Sequence, residues 1–80
     1  MYATRHCSYC MAARMLFKRK GIEFDDILVS GNNELRSKME QQSGQWTVPQ
    51  IFIDGEPIGG FDELDALERD GTLDTLLRNS

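Results

Sequence analysis

Apolar and polar positions alternate along the chain in short blocks whose period switches between that of a strand and that of a helix. Met1 to Thr4 reads as a short strand, and from Ser8 to Lys20 the residues Tyr9, Ala12, Ala13, Leu16 and Phe17 recur at helical spacing. Arg14 and Lys18 fall on the opposite side of that helix, and Gly21 ends it. Ile22 to Val29 predicts a strand with one partly exposed face. Ser30-Gly31-Asn32-Asn33 then supplies a turn and an N-cap for a second helix through Gln42, with Leu35 and Met39 facing inward and Ser43-Gly44 closing it.

Thr47 to Ile53 is rich in β-branched and aromatic residues and predicts a third strand. Asp54-Gly55 is a two-residue hairpin signal, with Glu56-Pro57-Ile58 as the return strand. Pro57 has no N–H to donate, which puts that strand at a sheet edge. Gly59-Gly60 turns the chain into a third helix starting near Asp62, and Gly71-Thr72 separates it from a last short helix, Leu73 to Arg78. The predicted order is β-α-β-α-β-β-α-α. Helices between the early strands imply parallel pairing there, and the hairpin implies an antiparallel pair at the end.

Eighty residues make one domain, residues 1–80, near the lower limit for a core that holds without staples. Two cysteines cannot build a disulfide framework of the secreted kind, and neither a secretory leader nor a membrane span is evident, so a reducing cytoplasm is the expected setting. The net charge of −4 hides an asymmetry: Arg5, Arg14, Lys18, Arg19 and Lys20 precede every acid, the first of which is Glu23. Lys18, Arg19 and Lys20 fit the C-terminal end of the first helix dipole. An acidic chain without interleaved basic and aromatic residues is a poor nucleic-acid binder.

The only cysteines form Cys7-Ser8-Tyr9-Cys10 where strand gives way to helix. Three residues is about one helical turn, so both sulfurs can lie on one face and close on each other. The Cys7 sulfur would sit at the helix N-terminus, where unpaired N–H groups and the macrodipole favour negative charge. Cys7 is therefore read as nucleophile and Cys10 as resolving thiol. Arg5, two residues earlier, favours a thiolate and an anionic substrate.

Pro49 opens a strand where it cannot donate to a ladder, and spacing alone leaves its peptide bond trans. Gly59-Gly60-Phe61-Asp62 reads either as a tight turn with Asp62 as N-cap or as backbone N–H groups open to a carboxylate; the two are compatible. Trp46 is a packed loop residue or an exposed contact for substrate. Met11, Met15 and Met39 read as core or rim fillers. One histidine, His6, and two cysteines are too few for a zinc site within one chain.

Taken together, Tyr2, Cys7-Ser8-Tyr9-Cys10, Thr47-Val48-Pro49-Gln50-Ile51-Phe52-Ile53, Asp54-Gly55, Ile58-Gly59-Gly60 and Asp62-Glu63-Leu64 resemble the glutaredoxin family, close to its bacterial type 3 members. The resemblance spans essentially the whole chain. It implies an α/β thioredoxin fold, a four-stranded mixed sheet flanked by helices, with Pro49 cis and facing Cys7. It also implies a glutathione-dependent thiol-disulfide oxidoreductase acting on protein-glutathione mixed disulfides and protein disulfides. Cys7 would take the mixed disulfide and Tyr9 would line the site, with Thr47 and Pro49 flanking it. The Val48 backbone would pair with the cysteinyl part of glutathione. Gly60, Phe61 and Asp62 would hold the γ-glutamyl end, and Arg36 the glycine carboxylate.

Three positions depart from the family pattern: Thr4 stands where a lysine is common, Ser8 replaces the proline of Cys-Pro-Tyr-Cys, and Phe61 stands where cysteine is frequent. Ser8 resembles members that share a [2Fe-2S] cluster between two subunits, so the alternative is a cluster-carrying dimer using Cys7 and glutathione thiols; otherwise a monomer is expected. A thioredoxin-like reductant served by a reductase is a third reading, weakened by the match at the glutathione-contacting positions.

Overall fold

The computed structural model describes residues 1–78. The elements are β1 (Tyr2–Ala3), α1 (Ser8–Arg19), β2 (Ile27–Leu28), α2 (Asn33–Ser43), β3 (Ile51–Ile53), β4 (Glu56–Gly59), α3 (Phe61–Arg69) and α4 (Thr72–Arg78). β1 and β2 pair in parallel, Tyr2 with Ile27 and Ala3 with Leu28. β3 and β4 form the antiparallel hairpin, with Pro57 opposite Phe52 and an irregularity between Ile51 and Phe52. The two pairs are joined by an antiparallel bridge in which the Tyr2 and Gln50 N–H groups each donate to the other's carbonyl, at 2.9 and 3.0 Å. The strand order is therefore β2-β1-β3-β4.

Parallel pairing of both early strand pairs is half right: β3 lies beside β1, antiparallel to it, and never meets β2. The alternation of side chains across the strands explains the layers. Tyr2 and Phe52 face α2, packing with Val29, Leu35 and Met39. Met1, Ala3 and Ile51 face the other way, onto Cys10, Ala13, Leu16 and Phe17 of α1 and Leu64 and Leu73 of α3 and α4. Helices on both faces of a thin mixed sheet make a thioredoxin fold.

The strand expected over Ile22–Val29 shrinks to Ile27–Leu28. Ile22 is used to end α1: its N–H donates to the Phe17 carbonyl at 2.9 Å while Gly21, at φ +67°, donates to Lys18 at 3.1 Å, a Schellman motif. Lys20 does more than complement the dipole, since its ammonium reaches Glu68 at 2.9 Å and Asp74 at 2.7 Å, tying α1 to α3 and α4. In α2, the Asn32 side chain accepts from the Leu35 N–H at 3.1 Å, and Gly44 ends the helix at φ +75°.

Two side-chain expectations fail. Met39 is in the core, but Met11 and Met15 are 53% and 62% exposed. Tyr9 belongs by spacing to the apolar stripe of α1, yet it is exposed. The buried arc of α1 is set by Cys10, Ala13, Leu16 and Phe17, so Met11 and Met15 fall on the opposite arc.

Candidate active site

Cys7 is the N-cap of α1 in extended conformation, and its Sγ accepts a hydrogen bond from the Cys10 N–H at 3.2 Å. A side chain at this position satisfies one of the donors that the first helical turn leaves unpaired. On its other side Cys7 Sγ lies 3.9 Å from the Val48 carbonyl oxygen. The Val48–Pro49 peptide bond is cis. Cys7 is partly exposed, whereas Cys10 has no exposed surface. Burial pushes the Cys10 thiol up to about 11, and its hydrogen bond with Cys7 pushes in the same direction. The two thiols thus differ by position alone: one at a helix mouth, the other in the core.

Beside Cys7 runs a groove of about 220 Å³ lined by Tyr9, Gln45, Thr47, Val48, Pro49, Gly60, Phe61, Asp62 and Glu63. The Tyr9 and Phe61 rings sit 6.4 Å apart across it. Of the residues singled out from sequence, Tyr9, Thr47, Val48, Pro49, Gly60, Phe61 and Asp62 come together here. Arg36 does not line the groove. Its Nε and Nη2 donate to the Trp46 carbonyl at 3.3 and 3.0 Å, and its guanidinium stacks 5.0 Å from the Trp46 ring centroid. It is tied to the groove through Trp46, whose chain neighbours Gln45 and Thr47 line it. A larger hollow of about 550 Å³, lined among others by Phe17, Phe24 and Ile53, contains neither cysteine.

The Asp62 N-cap reading is corrected, because α3 begins at Phe61 and its N-cap is Gly60, two residues before Asp62. Asp62 is a first-turn acid instead, favourable at the positive end of the helix. Glu63 closes the cap, its Oε2 accepting from the Gly60 N–H at 3.0 Å. That fold-back requires Gly59, at φ +114°, since a Cβ there would meet Glu63 Cδ and Cγ at 3.0 Å. Phe61 and Asp62, both lining the groove, are the first two residues of α3, whose N–H groups have no acceptor within the helix.

Gln50 is a site residue that the sequence reading does not single out. It is buried, and its Nε2 donates to Gln45 Oε1 at 3.1 Å, the Thr47 carbonyl at 2.9 Å and Thr47 Oγ1 at 3.2 Å. These bonds hold the loop that carries Val48 and Pro49. A polar residue amid an apolar strand was the available signal. His6 is exposed, and among the described residues no group of three or more His, Cys, Asp or Glu is gathered as metal ligands.

The glutaredoxin family profile matches residues 1–58. The chain is 47% identical over 77 residues to a Pseudomonas aeruginosa glutaredoxin, covering 96% of this chain and 92% of that one. It is 45% identical over 78 residues to Escherichia coli glutaredoxin 3, covering 98% and 94%. A buckwheat glutaredoxin-glutathione complex superposes with a TM-score of 0.89 at 31% identity, covering 98% of this chain and 74% of that one. The solution structure of Brucella melitensis glutaredoxin gives 0.83 at 49% identity, covering 95% and 83%. With a dithiol at the mouth of α1, a cis Val48–Pro49 bond beside it and near-complete coverage by these relatives, the chain belongs to the glutaredoxin family of thiol oxidoreductases.

Proposed function

We propose that the protein is a glutathione-dependent thioltransferase that reduces protein-glutathione mixed disulfides through Cys7. The observation that carries this reading is the contrast between the two thiols. Cys7 is accessible at a helix N-cap beside a groove with free N–H groups, and Cys10 lies one turn deeper with no exposed surface.

The Cys7 thiolate attacks the glutathione sulfur of the mixed disulfide, and the client thiolate leaves. The Cys7–glutathione disulfide is then attacked at its glutathione sulfur by a second glutathione thiolate, which releases glutathione disulfide and restores Cys7. One glutathione thiol is consumed for each client thiol released: the other half of the glutathione disulfide is the glutathionyl group taken from the client, so one disulfide bond is broken and one is formed. On a protein disulfide, Cys7 attacks one sulfur and Cys10 resolves the adduct, leaving a Cys7–Cys10 disulfide for glutathione to reduce. Burial does most to hold the Cys10 proton in place, and the hydrogen bond and charge of Cys7 add to it. Once Cys7 is in a mixed disulfide its share of that hold is gone, so Cys10 becomes easier to deprotonate at the step that needs it.

Glutathione binding in the groove is supported by its donors. Val48 offers backbone pairing of the strand-addition kind, the Phe61 and Asp62 N–H groups suit the γ-glutamyl carboxylate, and the Asp62 carboxylate suits its ammonium. Arg36 is within one residue of the groove through Trp46 and suits the glycine carboxylate. The reaction needs a reducing glutathione pool, as in the cytoplasm, and no helix among the described residues is long and apolar enough to cross a membrane. The protein works as a monomer in this cycle.

The test is multiple-turnover deglutathionylation of a small peptide with glutathione as sole reductant. Activity kept by Cys10→Ser and lost by Cys7→Ser is expected; no turnover by the wild type overturns the reading. A second reading, a [2Fe-2S]-bridged dimer, draws on the same exposed thiol: with Cys10 buried, one chain offers one thiolate, and the other ligands would be the second copy's Cys7 and two glutathiones. Visible absorbance after anaerobic reconstitution with glutathione would support it.

A further inference from the structure

Exposed methionines are unusual at the centre of a helix's solvent face, where long charged residues normally sit. Met11 and Met15 are one helical turn apart, so their side chains form a single stripe. The stripe starts in the first turn of the helix that Cys7 caps, where the Met11 N–H donates to the Cys7 carbonyl at 3.0 Å. At its far end lie Lys18 and Arg19, both exposed, and on the other side of Cys7 lies exposed Arg5.

These three basic side chains differ from the other two in the segment. Arg14 is held by Asp26 and Lys20 by Glu68 and Asp74, whereas those of Arg5, Lys18 and Arg19 have no hydrogen-bond or ion-pair partner among the described residues. No acid precedes Glu23 in a chain of net charge −4, so α1 carries no acid of its own to pair with Lys18 and Arg19. Flexible, polarizable methionine side chains adapt to varied apolar partners, and unpaired cations at the rim select and steer acidic ones.

We propose that Met11 and Met15, rimmed by Arg5, Lys18 and Arg19, form a docking surface for client proteins, and that the client segment it fits is apolar and acidic. The inference rests on the thioltransferase reading for its biological role and on the surface itself for the binding. It gives the enzyme a way to choose among glutathionylated proteins that all present the same glutathione to the groove.

The decisive measurement is a titration of the full-length protein, labelled at the methionine methyl groups, with a dodecapeptide of alternating Leu and Glu lacking cysteine. The Met11 and Met15 methyl signals, assigned with Met11→Gln and Met15→Gln, shift saturably, and that of buried Met39 stays still. Raising the salt weakens binding, and the same peptide with Lys for Glu binds at least about fivefold more weakly. Equal binding of both peptides, no shift at Met11 and Met15, shifts appearing on concentrating the protein alone, or shifts only with vesicles of anionic lipid would each overturn the proposal. In the activity arm, Met11→Gln/Met15→Gln lowers kcat/KM for the glutathionylated acidic peptide about three- to tenfold and leaves turnover of the glutathione–cysteamine disulfide unchanged. An equal fall on both substrates counts against docking. If the wild type turns over neither, the thioltransferase reading fails while the methyl titration still decides the docking surface.

Discussion

Gly59→Ala tests the account of how α3 is aimed at the groove. At φ +114° an alanine is held in a region that L-residues rarely occupy, at a cost of about 1–3 kcal/mol. Its Cβ would also sit 3.0 Å from Glu63 Cγ and Cδ, so Glu63 must swing away and release the Gly60 N–H. That hydrogen bond is exposed, so its loss adds only about 0.5–1 kcal/mol. The sum, about 1.5–4 kcal/mol, corresponds to a fall in Tm of roughly 6–32 °C for a domain of this size. The assay is thermal and urea unfolding of Gly59→Ala, Glu63→Ala and the double variant. Because truncating Glu63 removes most of the steric conflict, the double variant should lose less than the sum of the singles, by about 0.5–1.5 kcal/mol. A Gly59→Ala protein within about 0.5 kcal/mol of wild type, or strictly additive singles, would refute the reasoning.

Replacing buried Gln50 by Leu removes three donated bonds and leaves the Thr47 carbonyl without its partner; a loss of about 1–3 kcal/mol is expected by urea unfolding, together with reduced turnover from a loosened Val48–Pro49 segment, and an unchanged protein on both counts would show that the loop holds itself. The Cys10 thiol, pushed up to about 11 by burial and by Cys7, stays protonated in the folded state at pH values where an unfolded cysteine has ionised. Its contribution to stability is therefore complete below about pH 8.5 and lost as the pH climbs toward 11. Stability of the reduced protein against pH should show that alkaline decline, and Cys10→Ser should lack this part of it.

What was legible in the sequence was what local residues decide alone. The α1 start at Cys7, the Asn32 cap, the Asp54-Gly55 hairpin and the Gly21 stop are settled within a few residues, and all were readable. Strand lengths were not, because β2 can only be as long as its two-residue partner β1 and because Ile22 serves the end of α1. The groove residues were readable through the family pattern, yet the division of labour at α3 was not: whether Asp62 or Glu63 caps depends on a fold-back that only the absence of a Cβ at Gly59 permits. Met11 and Met15 illustrate the same limit, since apolarity suggests burial and only the packing of α1 shows which arc is covered. Arg36 was placed on the correct helix, but its engagement with Trp46 joins residues ten apart through a loop whose path the sequence does not state.

The complete burial of Cys10 also bears on how the protein meets oxidants. Of the two thiols a dissolved peroxide can reach only Cys7, so thiol oxidation begins as a single sulfenic acid at the helix mouth. One turn below waits a thiol that no peroxide has touched. It is placed to condense with the sulfenic acid, expelling water and giving a disulfide that glutathione can reduce, in place of a second oxidation of Cys7 to an irreversible acid. A thiol hidden in the core is in this sense the reserve that keeps the exposed one repairable.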